Sequence, residues 1–273
     1  MDYFGNWVYD VNPRNDLITP LTDQINTFIA DLHVHTVLSP CAEAEMTPPL
    51  IVEFALDLGI QLIAITDHNS TANISAVQKA AEKYPLTVLP GIELQTREDV
   101  HSLCLFDTLE QVNKLQELVN RTLPKIMNQP EHFGEQFVVD AAGDFIRREN
   151  QLLLTSSSMS LSEAWKAVSE LSGLFIPAHI DRKVFSLIEN LGLVPTDITI
   201  EALEISKHID PALASSIYPQ ISGYPLVQNG DVHRLDEFSR RMSLHIFYPA
   251  ISEIKLALSN SQGRFISFTD GMI

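Results

Sequence analysis

Residues 27–35, with the sequence TFIADLHVH, form an apolar run that ends on two histidines separated by a single residue. The run predicts a β-strand, and the helical spacing of apolar residues at 49–59 predicts a helix that ends at Gly59. The alternation continues along the chain, with helical patterns near residues 74–83 and 110–121 and strand-like runs at 62–66, 87–94, 100–106, 174–178, 202–205 and 226–228. Strands and helices that alternate over this length predict an α/β fold with a parallel sheet closed into a barrel.

The composition limits the class of protein. The chain of 273 residues can form one large α/β domain or two small ones, and its 45% hydrophobic and 19% charged residues are typical of a globular protein. The net charge of −17 and the lack of a Lys/Arg stripe argue against binding of long nucleic acid. Two cysteines are too few for a disulfide scaffold, which favours a reducing cytoplasm. No apolar run approaches the roughly 20 residues that cross a bilayer, and the N-terminus lacks signal-peptide features, so we expect a cytoplasmic protein without membrane contact.

Two segments depart from the alternating pattern. Residues 1–26 show no clear period and are predicted to form an N-terminal arm that packs on a barrel domain at 27–273. Residues 133–154, FGEQFVVDAAGDFIRRENQLLL, predict a β-hairpin that turns near Gly143, within an insertion at about residues 110–160. The hairpin would serve either as a lid or specificity element or as a structural addition without a role in the site.

The first histidines fall at predicted strand ends. Because side chains alternate across a strand, His33 and His35 project to the same side and can bind one metal ion. Asp31 lies on that side as well and is a candidate to orient an imidazole. In the ITDHN segment that closes the next strand, His68 is the better ligand and Asp67 the better orienting group, although the turn could reverse these roles.

A carboxylate and further histidines end the later strands. Glu93 closes an otherwise apolar run, where an unpaired buried carboxylate is costly, and bridging two metal ions would remove that cost. The remaining candidates are His101, His179 and the pair Asp231 and His233, which again has period two. Each group alone is more often a satisfied core, loop or surface residue than a ligand, but so many groups at strand ends of one domain predict a metal centre. Mixed imidazole and carboxylate ligands favour Zn, Mn or Fe.

Taken in order, the segments DLHVHT, ITDHN, GIE, VH, PAH and GDVH closely resemble the PHP (polymerase and histidinol phosphatase) family. The resemblance runs from about Asp31 to His233, and the HIDR and LEIS segments are similar to a bacterial branch of the family that has the barrel alone. It implies a distorted (β/α)7 barrel, similar to a TIM barrel, with two or three divalent metal ions at the carboxyl ends of the strands. It also implies hydrolysis of phosphomonoesters or phosphodiesters.

The resemblance further implies which residues hold each ion. Carried over residue by residue, the sets are His33, His35, Glu93 and Asp231 for the first ion, Glu93, His101 and His179 for the second, and His68 with His233 for the third. The third ion of the family commonly takes a further histidine at the position occupied here by Cys41. This residue would act either as a thiolate ligand or as a plain buried cysteine, and Glu43 or Glu45 could substitute for it.

From these residues we expect hydrolysis of a phosphoester in a small metabolite or nucleotide, by attack of a metal-bound hydroxide. The candidate catalytic residues are Asp67, Glu93 and His179. Arg182 is the preferred phosphate-binding residue, because a guanidinium pairs bidentately with phosphate. The weaker candidates for substrate binding are Lys207, His208, Arg234 and Arg97.

Two other functions stay open at this point. An amidohydrolase also begins with two such histidines on a barrel strand, but it typically adds a carboxylated lysine on a middle strand, where this chain has Glu93 and His101. A metal-binding or regulatory protein without turnover would have the ligands but not the reaction. No role in the site is expected for His132 or His245, and Cys104 is predicted to be a core residue.

Overall fold

The computed structural model of the chain describes residues 9–10, 19–20 and 24–269. Strands β1 (Tyr9–Asp10) and β2 (Thr19–Pro20) form an antiparallel pair. The N-terminal arm predicted for residues 1–26 therefore lies almost entirely outside the described residues.

The remaining elements follow the alternation of the sequence. The strands are β3 (Asn26–Val34), β4 (Leu62–Ile65), β5 (Thr87–Gln95), β6 (His101–Leu105), β7 (Phe137–Val139), β8 (Phe145–Arg148), β9 (Leu174–Pro177), β10 (Leu203–Ile205), β11 (Leu226–Gln228), β12 (Met242–Ile246) and β13 (Phe265–Phe268). The helices are α1 (Pro48–Asp57), α2 (Ile74–Ala81), α3 (Leu109–Thr122), α4 (Pro130–Phe133), α5 (Leu161–Glu170), α6 (Leu187–Leu191), α7 (Pro211–Ile217) and α8 (Ile251–Leu258). The strands and helices of the alternating pattern that the sequence predicts are all present, with ends shifted by at most two residues.

One curled sheet forms the frame of the molecule, with the strand order β13-β12-β3-β4-β5-β6-β9. β3, β4 and β5 are parallel, whereas β12 is antiparallel to β3 and β6 is antiparallel to both β5 and β9. The prediction of an α/β fold with a barrel-like sheet is thus confirmed, but the expectation of a wholly parallel sheet is wrong. The physical reason is the short connection at residues 96–100, because a parallel return needs a crossover of a dozen or more residues.

A second, parallel pair of strands continues the curl. β10 pairs with β11, and the N–H of Ile180, just after β9, donates to the carbonyl of Glu204 at 2.8 Å. On the other side, the N–H of Val232 donates to the carbonyl of His33 at 3.0 Å. The carboxyl ends of β3, β4, β5 and β9 and the amino end of β6 therefore face one common space.

Both faces of the central strands are buried, as is typical of the sheet in an α/β protein. On β4, Leu62 and Ala64 belong to an apolar cluster that includes residues of α8, whereas Ile63 and Ile65 belong to a second cluster with residues of α1, α2, α3 and α5. Helices α1, α2, α3 and α5 thus cover one face of the sheet, and α8 packs against the other. Within residues 24–269, the helices are all too short or too polar to span a bilayer.

The hairpin predicted from the sequence is formed by β7 and β8. It turns at Gly143, whose φ of 85° is accessible to glycine without strain. The N–H of Phe137 donates to the carbonyl of Val37 at 3.2 Å, so the hairpin lies against the loop that follows β3. The buried side chain of Asn73 donates to the carbonyl of Phe137 and accepts from the N–H of Val139, both at 3.0 Å. A role as lid or specificity element stays a prediction.

Candidate metal centre

The candidate ligands converge in the space at the strand ends. β3, β5 and β6 carry some of them, and the others lie within five residues of the carboxyl ends of β3, β4, β9 and β11. His101 joins them from the start of β6, because this strand runs opposite to β5. All are buried except half-buried His233: His33, His35, His68, Glu93, His101, His179, Asp231 and His233.

Glu93 lies at the centre of this cluster. Its Oε1 faces three imidazole nitrogens, at 2.8 Å from His101, 3.1 Å from His179 and 3.3 Å from His33. Its Oε2 faces two others, at 2.9 Å from His68 and 3.3 Å from His35. A carboxylate that five imidazoles surround is a candidate to bridge metal ions.

Asp231 completes a first group of donor atoms. Its Oδ1 lies 3.2 Å from Nε2 of His33 and 3.4 Å from Nε2 of His35. The donor atoms of these three residues and of Glu93 all lie within 4.8 Å of one another. The structure therefore brings together the full set that the sequence resemblance implied for a first ion.

Two further groups of donor atoms meet the same distance limit. One contains His68, Glu93 and His101, and the other contains His35, His68 and His233. His179 adjoins the former group through its contact with Glu93. His68 belongs to both groups, so it lies between the positions expected for the second and third ions rather than at the third alone.

Cys41 lies outside these groups. It is exposed, which rules out the plain buried cysteine considered above, and it lies against the imidazole of His68. His35 is the third member of the donor group that contains His68 and His233, and ligation by Cys41 stays a prediction. Glu43 and Glu45 are exposed and also lie outside the donor groups of the described chain.

The acids and imidazoles of the cluster shift each other's charge. Burial would raise the pKa of Glu93, but the neighbouring imidazoles, His101 first, hold it well below its usual value. Burial would also raise the pKa of Asp231, and the charge on His33 keeps it well below its usual value. Buried carboxylates that stay ionised require compensating positive charge, which protonated imidazoles or cations can supply.

The histidines of the cluster fall into two groups, those whose pKa is raised and those whose pKa is lowered. Burial would lower the pKa of His33, but the surrounding carboxylates raise it well above its usual value. Burial would also lower the pKa values of His35 and His68, but both rise to about 9, because Asp231 and Glu93 face His35 and because Glu93 and Cys41 face His68. Burial instead lowers the pKa of His101 to about 4 and that of His233 to about 3. At the latter two imidazoles burial thus outweighs the neighbouring carboxylates.

Several buried atoms of the cluster have no hydrogen-bond partner among the described residues. They are Nε2 of His33, His35 and His101, Nδ1 of His179, Oε2 of Glu93 and Oδ1 of Asp231. Each buried polar group left without a partner costs roughly 1–3 kcal/mol, and more if it is charged. Divalent cations between these atoms would remove that cost, so the residues fit Zn, Mn or Fe.

Glu204 is a further candidate residue of the site, which the reasoning from sequence missed. It is buried in β10, and both of its carboxylate oxygens lie 3.1 Å from Nδ1 of His33. It also accepts the backbone N–H of His179 at 2.9 Å and the side chain of Asn229 at 2.7 Å. The available signal was an acid inside the apolar run Leu203–Ile205, the same signal that singled out Glu93.

Asp67 bonds to the loop that follows β3. Its Oδ1 accepts the N–H of Thr36 and the hydroxyl of Ser39, and its Oδ2 accepts the hydroxyl of Thr36, all at 2.7 Å. The Ser39 hydroxyl in turn lies 2.9 Å from Nδ1 of His35. Both oxygens face the loop behind His35, as the orienting role considered for Asp67 requires. A catalytic role for Asp67 stays a prediction.

Asp31 differs from its expected role. It is buried, and it accepts the N–H groups of Gly230 at 3.1 Å, Ser239 at 2.8 Å and His33 at 3.3 Å rather than an imidazole. Burial raises its pKa to about 7, although these N–H groups act in the opposite direction. Asp31 therefore fixes the backbone before Asp231, while Glu204 orients the imidazole.

Of the residues predicted to bind substrate, only Arg182 reaches the described cluster. Its guanidinium pairs with Oδ2 of Asp231, and the side chain is 40% exposed at the rim. Lys207 and Arg234 instead pair with Glu237, at 3.7 and 3.3 Å. His208 and Lys207 line a separate cavity, and Arg97 pairs with Glu98 at 3.6 Å. The geometry thus gives no support to substrate contacts for these weaker candidates. Lys207, Arg234 and Arg97 pair with acids outside the cluster, and His208 lines a different cavity.

Comparison with known families bears directly on this cluster. The model of the PHP domain family matches residues 31–187, which is more than half of the chain and includes most of the candidate ligands. The chain belongs to the PHP domain family.

Relatives of this PHP domain include proteins with named activities. It is 33% identical over 212 residues to the phosphoribosyl 1,2-cyclic phosphate 1,2-diphosphodiesterase of Eggerthella lenta. The aligned region covers 73% of this chain and 77% of that protein. It is 25% identical over 275 residues to the uncharacterized protein YqxK of Bacillus subtilis. The aligned region covers 89% of this chain and 65% of that protein.

Among solved structures, the PHP domain is similar to the lesion-specific endonuclease PfuEndoQ from Pyrococcus furiosus. The TM-score is 0.67 at 21% identity, over 88% of this chain and 58% of that chain. At this identity the likeness shows the fold alone. The PHP domain thus spans less than two thirds of the length of both YqxK and this endonuclease.

Three residues lie apart from the centre of the PHP domain, as the sequence predicted. His132 is exposed on α4. His245 on β12 bonds to Thr27 and Ser267, at 3.0 and 2.8 Å, and stacks on a neighbouring ring. Cys104 is fully buried in the core, where burial raises the pKa of its thiol.

Proposed function

We propose that this chain hydrolyses a phosphoester in a small phosphorylated metabolite or nucleotide with the help of divalent metal ions. The observation that carries the proposal is the position of Glu93, whose two oxygens face separate sets of imidazoles inside a buried cluster. The family supports the reaction class, and so does the cyclic phosphodiesterase relative from Eggerthella lenta.

The donor groups suggest how two or three ions would be held. One ion would lie among His33, His35, Glu93 and Asp231, a second among Glu93, His101 and His179, and a third among His35, His68 and His233. Bound Zn, Mn or Fe ions lower the pKa of coordinated water and neutralise charge on a phosphoryl group.

The protein's own part is to hold the ligands and the phosphate. Glu204 fixes the ring of His33, and Ser39, which bonds to Asp67, fixes the ring of His35. Arg182 reaches the cluster at Asp231, so its guanidinium is placed to pair with a phosphate oxygen bound at the same edge.

Charge favours a small substrate over long nucleic acid. The chain carries a net charge of −17, and rim cations such as Lys207 and Arg234 are already paired with Glu237. A protein that tracks a phosphate backbone needs free cations along its surface. The similarity to an endonuclease concerns the fold and does not alter this argument.

An assay with two artificial esters tests the proposal. Protein loaded with Mn²⁺, with its metal content verified, is incubated with p-nitrophenyl phosphate and bis-p-nitrophenyl phosphate. We expect turnover of at least one ester, and a loss of at least about a thousandfold in Glu93→Gln and His33→Ala, because metal assistance contributes several kcal/mol. The matched control His132→Ala replaces an exposed histidine on α4 and should retain the parental rate.

Two outcomes would contradict the proposal. If folded protein that contains metal turns over neither ester, the chain binds metal without hydrolysing phosphoesters, as a regulatory or binding protein would. If Glu93→Gln keeps full activity, the reaction takes place away from this cluster. An amidohydrolase is disfavoured because Glu93 and His101 stand on the middle strands, where that class typically has a carboxylated lysine.

A further inference from the structure

Phe185 lies at the rim of the metal centre, in the loop that follows β9. Its ring stacks on the imidazole of His101, with 4.7 Å between ring centroids and 5° between the planes. A separation in this range is typical of a favourable aromatic pair. Phe185 nevertheless stays 40% exposed, so the face of the ring away from His101 is open to solvent.

The backbone holds this ring in place at a cost. Phe185 has a φ of 57°, which is uncommon for a bulky residue. Its carbonyl accepts the N–H of His101 at 2.9 Å, and the next residue, Ser186, donates to the carbonyl of Arg182 at 2.7 Å. The neighbouring bonds therefore fix an exposed aromatic ring in a strained position beside a candidate ligand.

The same short loop reaches two sides of the centre. Arg182 pairs with Asp231, whereas Phe185, three residues later, covers His101. Glu93 lies between these two points, because it contacts both His101 and His33, which in turn contacts Asp231. The phosphate of a bound substrate would thus contact the guanidinium of Arg182 on one side of the centre. The remainder of the substrate would lie near the ring of Phe185.

We propose that the open face of Phe185 stacks against the base of a nucleotide whose phosphate lies at the metal centre. The inference rests on the proposed function and narrows its substrate class to nucleoside phosphates rather than aliphatic sugar phosphates. A half-exposed ring held rigidly beside a phosphate site suits a planar base, since every base has a π-face and stacking is insensitive to sequence.

Binding of two matched ligands tests the inference. Adenosine 5′-monophosphate and ribose 5-phosphate share a phosphate and a sugar and differ in the base. Both are used as methylene phosphonate analogues, in which carbon replaces the ester oxygen so that no P–O ester bond is left to hydrolyse. Their dissociation constants are measured calorimetrically with Mn²⁺-loaded protein. We expect the nucleotide to bind about tenfold more tightly than the sugar phosphate, and this ratio to fall to near unity in Phe185→Leu and to persist in Phe185→Tyr.

A matched control exists elsewhere in the chain. Phe265 is 41% exposed and also stacks on a histidine, His245, with centroids 4.0 Å apart, but it lies on β13 away from the candidate ligands. Phe265→Leu should leave the binding ratio as it is in the parent protein. A parental ratio in Phe185→Leu, or a nucleotide that binds no more tightly than ribose 5-phosphate, would overturn the inference. The ratio is measured without turnover, so a failed hydrolase assay does not decide it.

Discussion

Glu204 and His33 are 171 residues apart in the sequence, yet both carboxylate oxygens of Glu204 lie 3.1 Å from Nδ1 of His33. The contact joins β10 to the candidate ligands of β3. Because a carboxylate behind a ligand imidazole fixes the ring and makes it a better donor, Glu204 is expected to support metal binding without touching the ion.

Replacement of Glu204 by glutamine tests this relationship. The amide keeps the size of the side chain but removes its charge, so we expect affinity for Mn²⁺ to fall by about 10- to 100-fold. Competition with a chelator measures the affinity. Glu201→Gln is the control, because Glu201 pairs with Lys255 at 3.0 Å and not with the cluster. Equal affinities in the two variants would remove Glu204 from the centre.

Substitution of Cys41 tests whether the third ion is held by three histidines alone or also by the thiolate of Cys41. His35, His68 and His233 form a donor group without the thiol, so Cys41→Ser should retain as many bound ions per chain as the parent protein. His233→Ala should lose part of the bound metal. Metal content is measured by mass spectrometry after gel filtration, and a loss of metal in Cys41→Ser would show that the thiolate is a ligand after all.

The two cysteines should also differ in reactivity. Cys41 is exposed, whereas Cys104 is fully buried, and burial raises the pKa of the Cys104 thiol. Since the thiolate is the reactive form, a thiol reagent should modify Cys41 in the native protein and Cys104 only after unfolding. The modified residues are identified by peptide mass spectrometry. Rapid modification of Cys104 in folded protein would contradict the packing described here.

Asn73 links the β7–β8 hairpin to the loop behind His35. Its side chain donates to Thr36 at 2.9 Å and to the carbonyl of Phe137 at 3.0 Å, and it accepts from Val139 at 3.0 Å. Asn73→Ala leaves these buried groups without partners and should lower the free energy of unfolding by about 2 kcal/mol.

Urea denaturation checks this value against an exposed asparagine. Asn120 lies on the surface of α3, so Asn120→Ala should change the free energy of unfolding by less than about 0.5 kcal/mol. If both variants unfold at the same urea concentration as the parent, Asn73 does not anchor the hairpin.

The ligands could be predicted from the sequence because each depends on a local pattern. His33 and His35 are separated by one residue on a strand, and Glu93 interrupts an apolar run. The same pattern was present at Glu204, but it lies in a strand of three residues, where a single acid resembles a surface position. Its partner His33 becomes apparent only when β10 is placed beside β3.

Contacts between distant loops were harder to predict. Arg182, Lys207 and Arg234 each follow a strand, and the sequence made all three candidates to bind phosphate, with Arg182 preferred. Only the fold shows that Glu237 pairs with Lys207 and Arg234, whereas Arg182 faces the cluster. The antiparallel direction of β6 did have a local signal, the short connection at 96–100.

The central claim is that divalent ions bind on both sides of Glu93. Anomalous X-ray diffraction from crystals soaked with Mn²⁺ tests it most directly. We expect one anomalous peak among His33, His35, Glu93 and Asp231 and another beside Glu93 and His101, with the carboxylate of Glu93 between them. Manganese peaks that lie only elsewhere on the protein, or a Glu93 carboxylate that contacts no ion in crystals shown to contain manganese, would contradict the claim.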